Sequence, residues 1–196
     1  MTNIDNYKQE ELTIEAGKAQ LSVIIYFLPF LLLFGLPYFL IWRNNLTIQN
    51  YINPIKDLGQ WTIVIIFSSM IMGIILHELI HGLTWSIFAK NGLKSMKYGV
   101  IWKWLTPYCH CKEPLLVKEY IIGALMPAII LGFIPSIMAI FTGNITLILF
   151  GLFFTMAAGG DFMIINILRK EAMDSLVQDH SSKIGCYIYR PINSNL

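Results

Sequence analysis

His77 and His81, with Glu78 directly after the first, are the residues whose types and spacing most plainly suggest chemistry. On a helix, side chains four apart project from one face, one turn above the other. That spacing lets two imidazole nitrogens share one tetrahedral zinc ion at about 2.0–2.1 Å. Glu78 then stands beside the first ligand, angled toward the metal's open position, where a carboxylate can take a proton from water and pass it to a leaving amine. The five residues His77-Glu78-Leu79-Ile80-His81 are a short motif, so their surroundings decide how much they mean.

Those surroundings are apolar. Of 196 residues, 56% are hydrophobic and 13% charged, against about 25% charged in ordinary soluble domains; the mean hydropathy is +0.60. The apolar residues fall into four runs, at about 21–42, 61–89, 120–142 and 145–168, each long enough to cross a bilayer, which takes about 20 residues. The expected fold class is an all-α membrane protein. It has four transmembrane helices and a short cytoplasmic-side β-strand or hairpin between the second and third, in one polytopic domain over 1–196. The first run is not expected to be a signal peptide, because a mixed-charge stretch including Glu10 and Glu11 precedes it.

Lysine and arginine collect on the cytoplasmic side of most membrane proteins. Twelve of the fourteen lie in the tails 1–20 and 169–196 and in the loop after the second run; only Arg43 and Lys56 lie in the other connections. Both termini are therefore expected in the cytoplasm, with the chain in the cell membrane. Trp42 and Trp61 would sit at the outer interface. A formal net charge of +2, split among segments, gives no reason to expect nucleic acid as a partner.

Glu78 lies well inside the second run. An ionised carboxylate near the middle of a spanning helix costs on the order of 2.5–3.5 kcal/mol on insertion scales. A protonated Glu78, a hydrogen-bonded histidine pair or a proton relay would also account for it, but metal binding uses all three residues. Catalytic zinc usually takes a third protein ligand. Besides Glu78, Asp161 is the acidic residue inside a run, in Ala157-Ala158-Gly159-Gly160-Asp161, where small residues allow close helix approach. The alternative for Asp161 is a polar residue reaching the interface from a helix end.

Between the second and third runs, Met96, Tyr98, Val100, Trp102 and Trp104 alternate with more polar residues. Period two implies a strand with one apolar face, or else an amphipathic interfacial loop, and Thr106-Pro107 would break it. Pro29, Pro37, Pro127 and Pro135 lie inside runs, where neighbouring helices can absorb lost backbone bonds. Three cysteines make no disulfide framework, and Cys109, Cys111 and Cys186 are expected as reduced thiols. On a strand, Cys109 and Cys111 face one way and His110 the other, a poor arrangement for a second ion. His180 is expected to be solvated or capping, with no part in catalysis.

His77-Glu78-Leu79-Ile80-His81-Gly82, Pro107-Tyr108-Cys109-His110-Cys111-Lys112-Glu113-Pro114-Leu115, Gly159-Gly160-Asp161, and Asp179-His180 followed by Gly185 together resemble a family of small bacterial membrane proteins, the putative zincin peptidases. More distantly, the layout is similar to site-2 intramembrane metalloproteases, with Gly123-Ala124-Leu125-Met126-Pro127 loosely like their third core helix and no PDZ-like segment. The expected function is a zinc-dependent intramembrane endopeptidase acting on membrane protein or membrane-associated peptide substrates. His77, His81 and Asp161 would hold Zn2+ and Glu78 would be the general base. A non-catalytic metal-binding regulator or scaffold, and a proton- or cation-coupled transporter, are the alternatives; the oligomeric state is open.

Overall fold

The computed structural model describes residues 7–14, 16–47, 59–102, 106–180 and 185–192. Lys56 and Trp104, with Lys103, Lys183 and the side chain of Lys18 among the basic residues counted in the loop and tails, lie outside the described residues.

The described residues start in a strand, β1 (Tyr7–Thr13), followed by helix α1 (Ala16–Phe30), which continues through a π-helical turn at Leu31–Gly35 into α2 (Leu36–Trp42). The long α3 (Trp61–Phe88) follows, then strands β2 (Met96–Ile101), β3 (Thr106–Cys111) and β4 (Leu115–Leu116). Helix α4 (Val117–Pro127) runs through a second π-helical turn, Ala128–Phe133, into α5 (Ile134–Thr142). Helices α6 (Ile145–Ala157) and α7 (Gly159–Leu168) and strands β5 (Leu176–Asp179) and β6 (Gly185–Pro191) complete the order.

Both π turns are bracketed by prolines eight residues apart, Pro29 and Pro37, Pro127 and Pro135. Proline offers no N–H to the preceding turn, and a wider i→i+5 turn is one way to carry the helix past the gap. The helices thus continue instead of breaking. Asn144 caps α6, its side chain accepting from the Thr146 and Leu147 N–H groups, and Gly143 before it takes φ +71°, open to glycine at little cost. The end of α2 is pinned here: Tyr38 donates to the Gly143 carbonyl at 2.8 Å and Trp42 Nε1 to that of Ile140 at 2.9 Å. Trp42 is thus held by protein as well as placed near a helix end.

The all-α, four-span expectation is wrong in two respects. Among the described residues there are six strands in two antiparallel sheets: a four-stranded sheet of order β1-β6-β5-β4 and the two-stranded β2-β3. Among the described residues, three single helical segments, Ser22–Asn45, Trp61–Phe88 and Val117–Thr142, are long and apolar enough to span a membrane. The fourth run is two helices, α6 and α7, bent by 45° at Ala158. The strands at both ends were hidden by composition. Charged Tyr7–Thr13 reads as a solvated tail until Leu12 and Glu10 pair with Cys186 and Ile188. On β6, Cys186 and Ile188 are fully buried at alternate positions, a period-two signal short enough to pass as tail.

The largest core cluster lies where the helix ends meet the sheets, with Trp85, Met96, Cys109, Cys111, Leu115, Val117, Tyr120, Val177, Cys186 and Ile188 packed together. The larger sheet gathers β1, β5, β6, and β4 from between α3 and α4. The alternating segment is strand β2, and Thr106-Pro107, expected to end it, instead open its partner β3. Beyond buried Met96 the apolar face of β2 turns outward: Val100 is 38% and Trp102 79% exposed.

Candidate metal centre

Helix α3 has no proline in 28 residues, and its outward surface is apolar almost all round, as a helix surrounded by hydrocarbon requires. What it turns inward is small or polar, apart from Trp85. Its buried residues include Gly73, His77, His81 and Trp85, a stripe at intervals of four. Gly73 is the close contact to α6: a Cβ there would run into the Phe154 ring. Polar residues inside and apolar residues outside is the reverse of a soluble helix, and it brings both histidines into the bundle.

Asp161 comes to them from the first turn of α7. The bend at Ala158 and the missing side chain of Gly159, whose Cβ would lie 2.8 Å from Val23 of α1, seat this short helix against its neighbours. A carboxylate in a first helical turn is also favoured by the free N–H groups there. Asp161 Oδ2 lies 3.2 Å from His77 Nε2 and Oδ1 3.3 Å from His81 Nε2; the two Nε2 atoms are 3.2 Å apart. One ligand atom from each residue falls within 4.8 Å of the others. The three residues expected together from sequence are together, and Asp161 faces the histidines, not an interface.

The histidine tautomer follows from the backbone. In a regular helix the Gly123 carbonyl would accept from residue 127, but residue 127 is proline and has no N–H. The Gly123 carbonyl instead meets His81 Nδ1 at 2.9 Å. A carbonyl only accepts, so Nδ1 carries the hydrogen and, in the neutral ring, Nε2 presents its lone pair. That lone pair points at a carboxylate oxygen, which when ionised only accepts, and at the His77 nitrogen, whose role depends on its tautomer. A cation among them removes the conflict, and ligation through one ring nitrogen with a carbonyl bond on the other is the usual metal-histidine arrangement. His77 Nδ1 is buried with no hydrogen-bond partner among the described residues; its ring is held through Nε2 alone. The donor set of two imidazoles and one carboxylate suits Zn2+.

Sequence reasoning missed two residues that shape this site. Trp85 stacks on His81, with ring centroids 5.0 Å apart and planes at 13°, and its indole occupies the space a Gly123 side chain would need. The interval of four from His81 was the available signal for Trp85. For Gly123, it was the proline four residues on.

Glu78 is half-buried on the side of the hairpin. In the β2–β3 register Met96 faces Cys111, and one step outside it Lys112 N donates to the Ser95 carbonyl at 2.9 Å. Hydrogen-bonded and non-bonded pairs alternate in an antiparallel ladder, so the Cys109 and Cys111 N–H groups point away from β2. The Cys111 N–H donates to Asp179 Oδ2 at 2.8 Å, and the Cys109 N–H is turned to the side of Glu78. The edge facing Glu78 is thus that of β3. Gly82 allows this approach, since a Cβ there would strike Tyr98 Oη and lie 2.9 Å from Cys109 Sγ.

All three cysteines are free and buried. Burial pushes the Cys109 thiol up to about 12, Cys111 to about 11 and Cys186 to about 12, with acidic neighbours adding to the effect. Such thiols stay protonated at neutral pH. His180 is buried, not solvated: it stacks on Tyr187 at 4.6 Å and lies 3.6 Å from Glu11 of β1, where it ties the larger sheet together.

No curated protein and no solved structure matches the chain. A family model does, described as "putative zincin peptidase", over residues 70–176. The match takes in α3 from Met70, the hairpin, α4 to α7 and the first residue of β5, and so holds both histidines, Glu78 and Asp161 within more than half of the protein. This chain belongs to the putative zincin peptidase family.

Proposed function

We propose that the protein is a zinc-dependent endopeptidase that hydrolyses peptide bonds of membrane proteins, or of peptides held at the membrane, from a site inside its helical bundle. The observation that carries this reading is the convergence of His77, His81 and Asp161 from two apolar helices, with Glu78 free of the triad and turned toward a strand edge. His77, His81 and Asp161 would hold the ion, which when bound supplies Lewis acidity toward water and a scissile carbonyl. Glu78 would take the proton from the attacking water and return it to the leaving nitrogen. Helix α3 supplies both the ligand pair and the base, so their relation is fixed by one rigid element.

Hydrolysis needs an extended backbone, and helices of membrane substrates must unwind to offer one. The outward N–H of Cys109 supports β3 as the place where such a segment would pair, by strand addition beside Glu78. Pro107, two residues before it on the same edge, has no N–H to offer, which would limit pairing to a short stretch. The chain acts as a single polytopic unit in the cell membrane, with both ends in the cytoplasm. The lysine distribution supports this side, and the pairing of β1 with β6 supports a common side for the two ends.

The test is Glu78→Gln in full-length protein, assayed on candidate membrane substrates alongside wild type. Cleavage falling by two or more orders of magnitude, with zinc content unchanged, is the expected result. Undiminished cleavage would remove Glu78 from the mechanism; a wild type that holds zinc and cleaves nothing in a broad substrate panel would favour a metal-binding regulator.

A further inference from the structure

Asp179 lies outside the helices, at the end of β5, yet both its carboxylate oxygens act on the site. Oδ1 accepts from Tyr120 Oη at 2.5 Å and Oδ2 from Cys111 N at 2.8 Å. The Tyr120 ring stacks on Trp85 with centroids 4.9 Å apart and planes at 25°, and its carbonyl takes the Trp85 Nε1 hydrogen at 3.0 Å. Trp85 in turn stacks on His81 and fills the space over Gly123, whose carbonyl holds His81 Nδ1. One oxygen of Asp179 therefore anchors a column of rings ending on a ligand. The other fixes the strand whose next outward N–H, at Cys109, is turned to the side of Glu78.

We propose that Asp179 is a positioning residue of the metal site: through Tyr120 and Trp85 it sets the orientation of His81, and through Cys111 it sets the β3 edge at Glu78. This rests on the proposed assignment of His77, His81 and Asp161 as metal ligands. Asp179 is half-buried, and its carboxyl is raised above the usual carboxylate range by loss of solvation, against the pull of Tyr120. A residue serving the sheet alone would gain nothing from facing two donors of the helix and hairpin; its strand neighbour Val177 is fully buried in the core and apolar. The column also gives the site an extramembrane support, because β5 is held between β6 and β4.

Co2+ binding to metal-free, full-length protein in detergent tests this, read as affinity by chelator competition and as the visible ligand-field spectrum. Tyr120→Phe keeps the stacked ring and removes only the hydroxyl; Asp179→Asn keeps the volume. Both should weaken Co2+ binding by roughly 10–100-fold, the range for losing a group that orients a ligand, and alter the spectrum. Ile188→Ala is the control: it opens the core of the same sheet at a fully buried site and should lower the melting temperature while leaving affinity within about threefold and the spectrum unchanged. Wild-type affinity and spectrum in Tyr120→Phe would overturn the proposal, as would an equal loss in Ile188→Ala. If Asp179→Asn does not fold, Tyr120→Phe alone decides. A wild type that binds no Co2+ would instead strike at the ligand assignment.

Discussion

Replacing Gly123 by alanine places a methyl group where the Trp85 indole now lies, with the ring carbon Cε2 2.8 Å from the new Cβ and two ring atoms nearer still. The indole has nowhere to go: His81 stacks on one side, Tyr120 on the other, and Nε1 is bonded to the Tyr120 carbonyl. Overpacking costs about 1–3 kcal/mol and losing the indole hydrogen bond about 1 kcal/mol more. Alanine's better helix propensity returns about 1 kcal/mol. The net is about 1–3 kcal/mol of destabilisation, a fall of about 2–12 °C in melting temperature at about 2–4 °C per kcal/mol. Because the Gly123 carbonyl orients His81, metal affinity should fall with it. Gly160→Ala is the matched comparison, since a Cβ there meets nothing within 4 Å; it should melt at or slightly above wild type. The assay is thermal unfolding in detergent, with zinc affinity measured on the folded fraction. A Gly123→Ala protein as stable as Gly160→Ala, with unchanged affinity, would refute the packing argument.

Gly82→Ala should push the hairpin away from α3, because the new Cβ meets Tyr98 Oη and Cys109 Sγ; faster hydrogen exchange across Met96–Cys111 with zinc still bound is expected. Glu113 holds the turn after α3, accepting from Ser95 Oγ at 2.7 Å, from Lys90 N at 2.9 Å and from the Asn91 side chain. The Ser95 bond in particular lowers its carboxyl below the ordinary value, so the folded state binds the proton less readily than the unfolded one. The stabilisation is present above about pH 4.5 and is lost as pH falls through the lowered value. The melting difference between wild type and Glu113→Gln should therefore be largest near neutrality and shrink as the pH falls below the ordinary carboxylate range.

The candidate metal site was legible because its residues are chemically out of place. Two histidines and an acid at helical spacing, and one aspartate after a run of small residues, have few other uses in an apolar segment. Their supports were not legible. Trp85 reads as one more apolar residue, and Gly123 with Pro127 as a weak spot in a helix, until α3 and α4 are packed together. Only then does the proline's missing N–H become a free carbonyl for His81. The bend at Ala158 was hidden because an apolar run records length, not direction. The strands at the two ends escaped because each needs the other: Arg190 of β6 bonds Glu10 of β1 and Glu171 before β5, a pairing across most of the chain that no local pattern records. The hairpin alternation could be read, but not which edge faces Glu78. That depended on the parity of the ladder.

Zinc content of purified full-length protein, compared among wild type, His77→Ala, Asp161→Ala and Glu78→Gln, tests the central claim most directly. The expected result is about one zinc per chain in wild type and Glu78→Gln and none retained in the other two. An Asp161→Ala protein that keeps its zinc at wild-type affinity would contradict it.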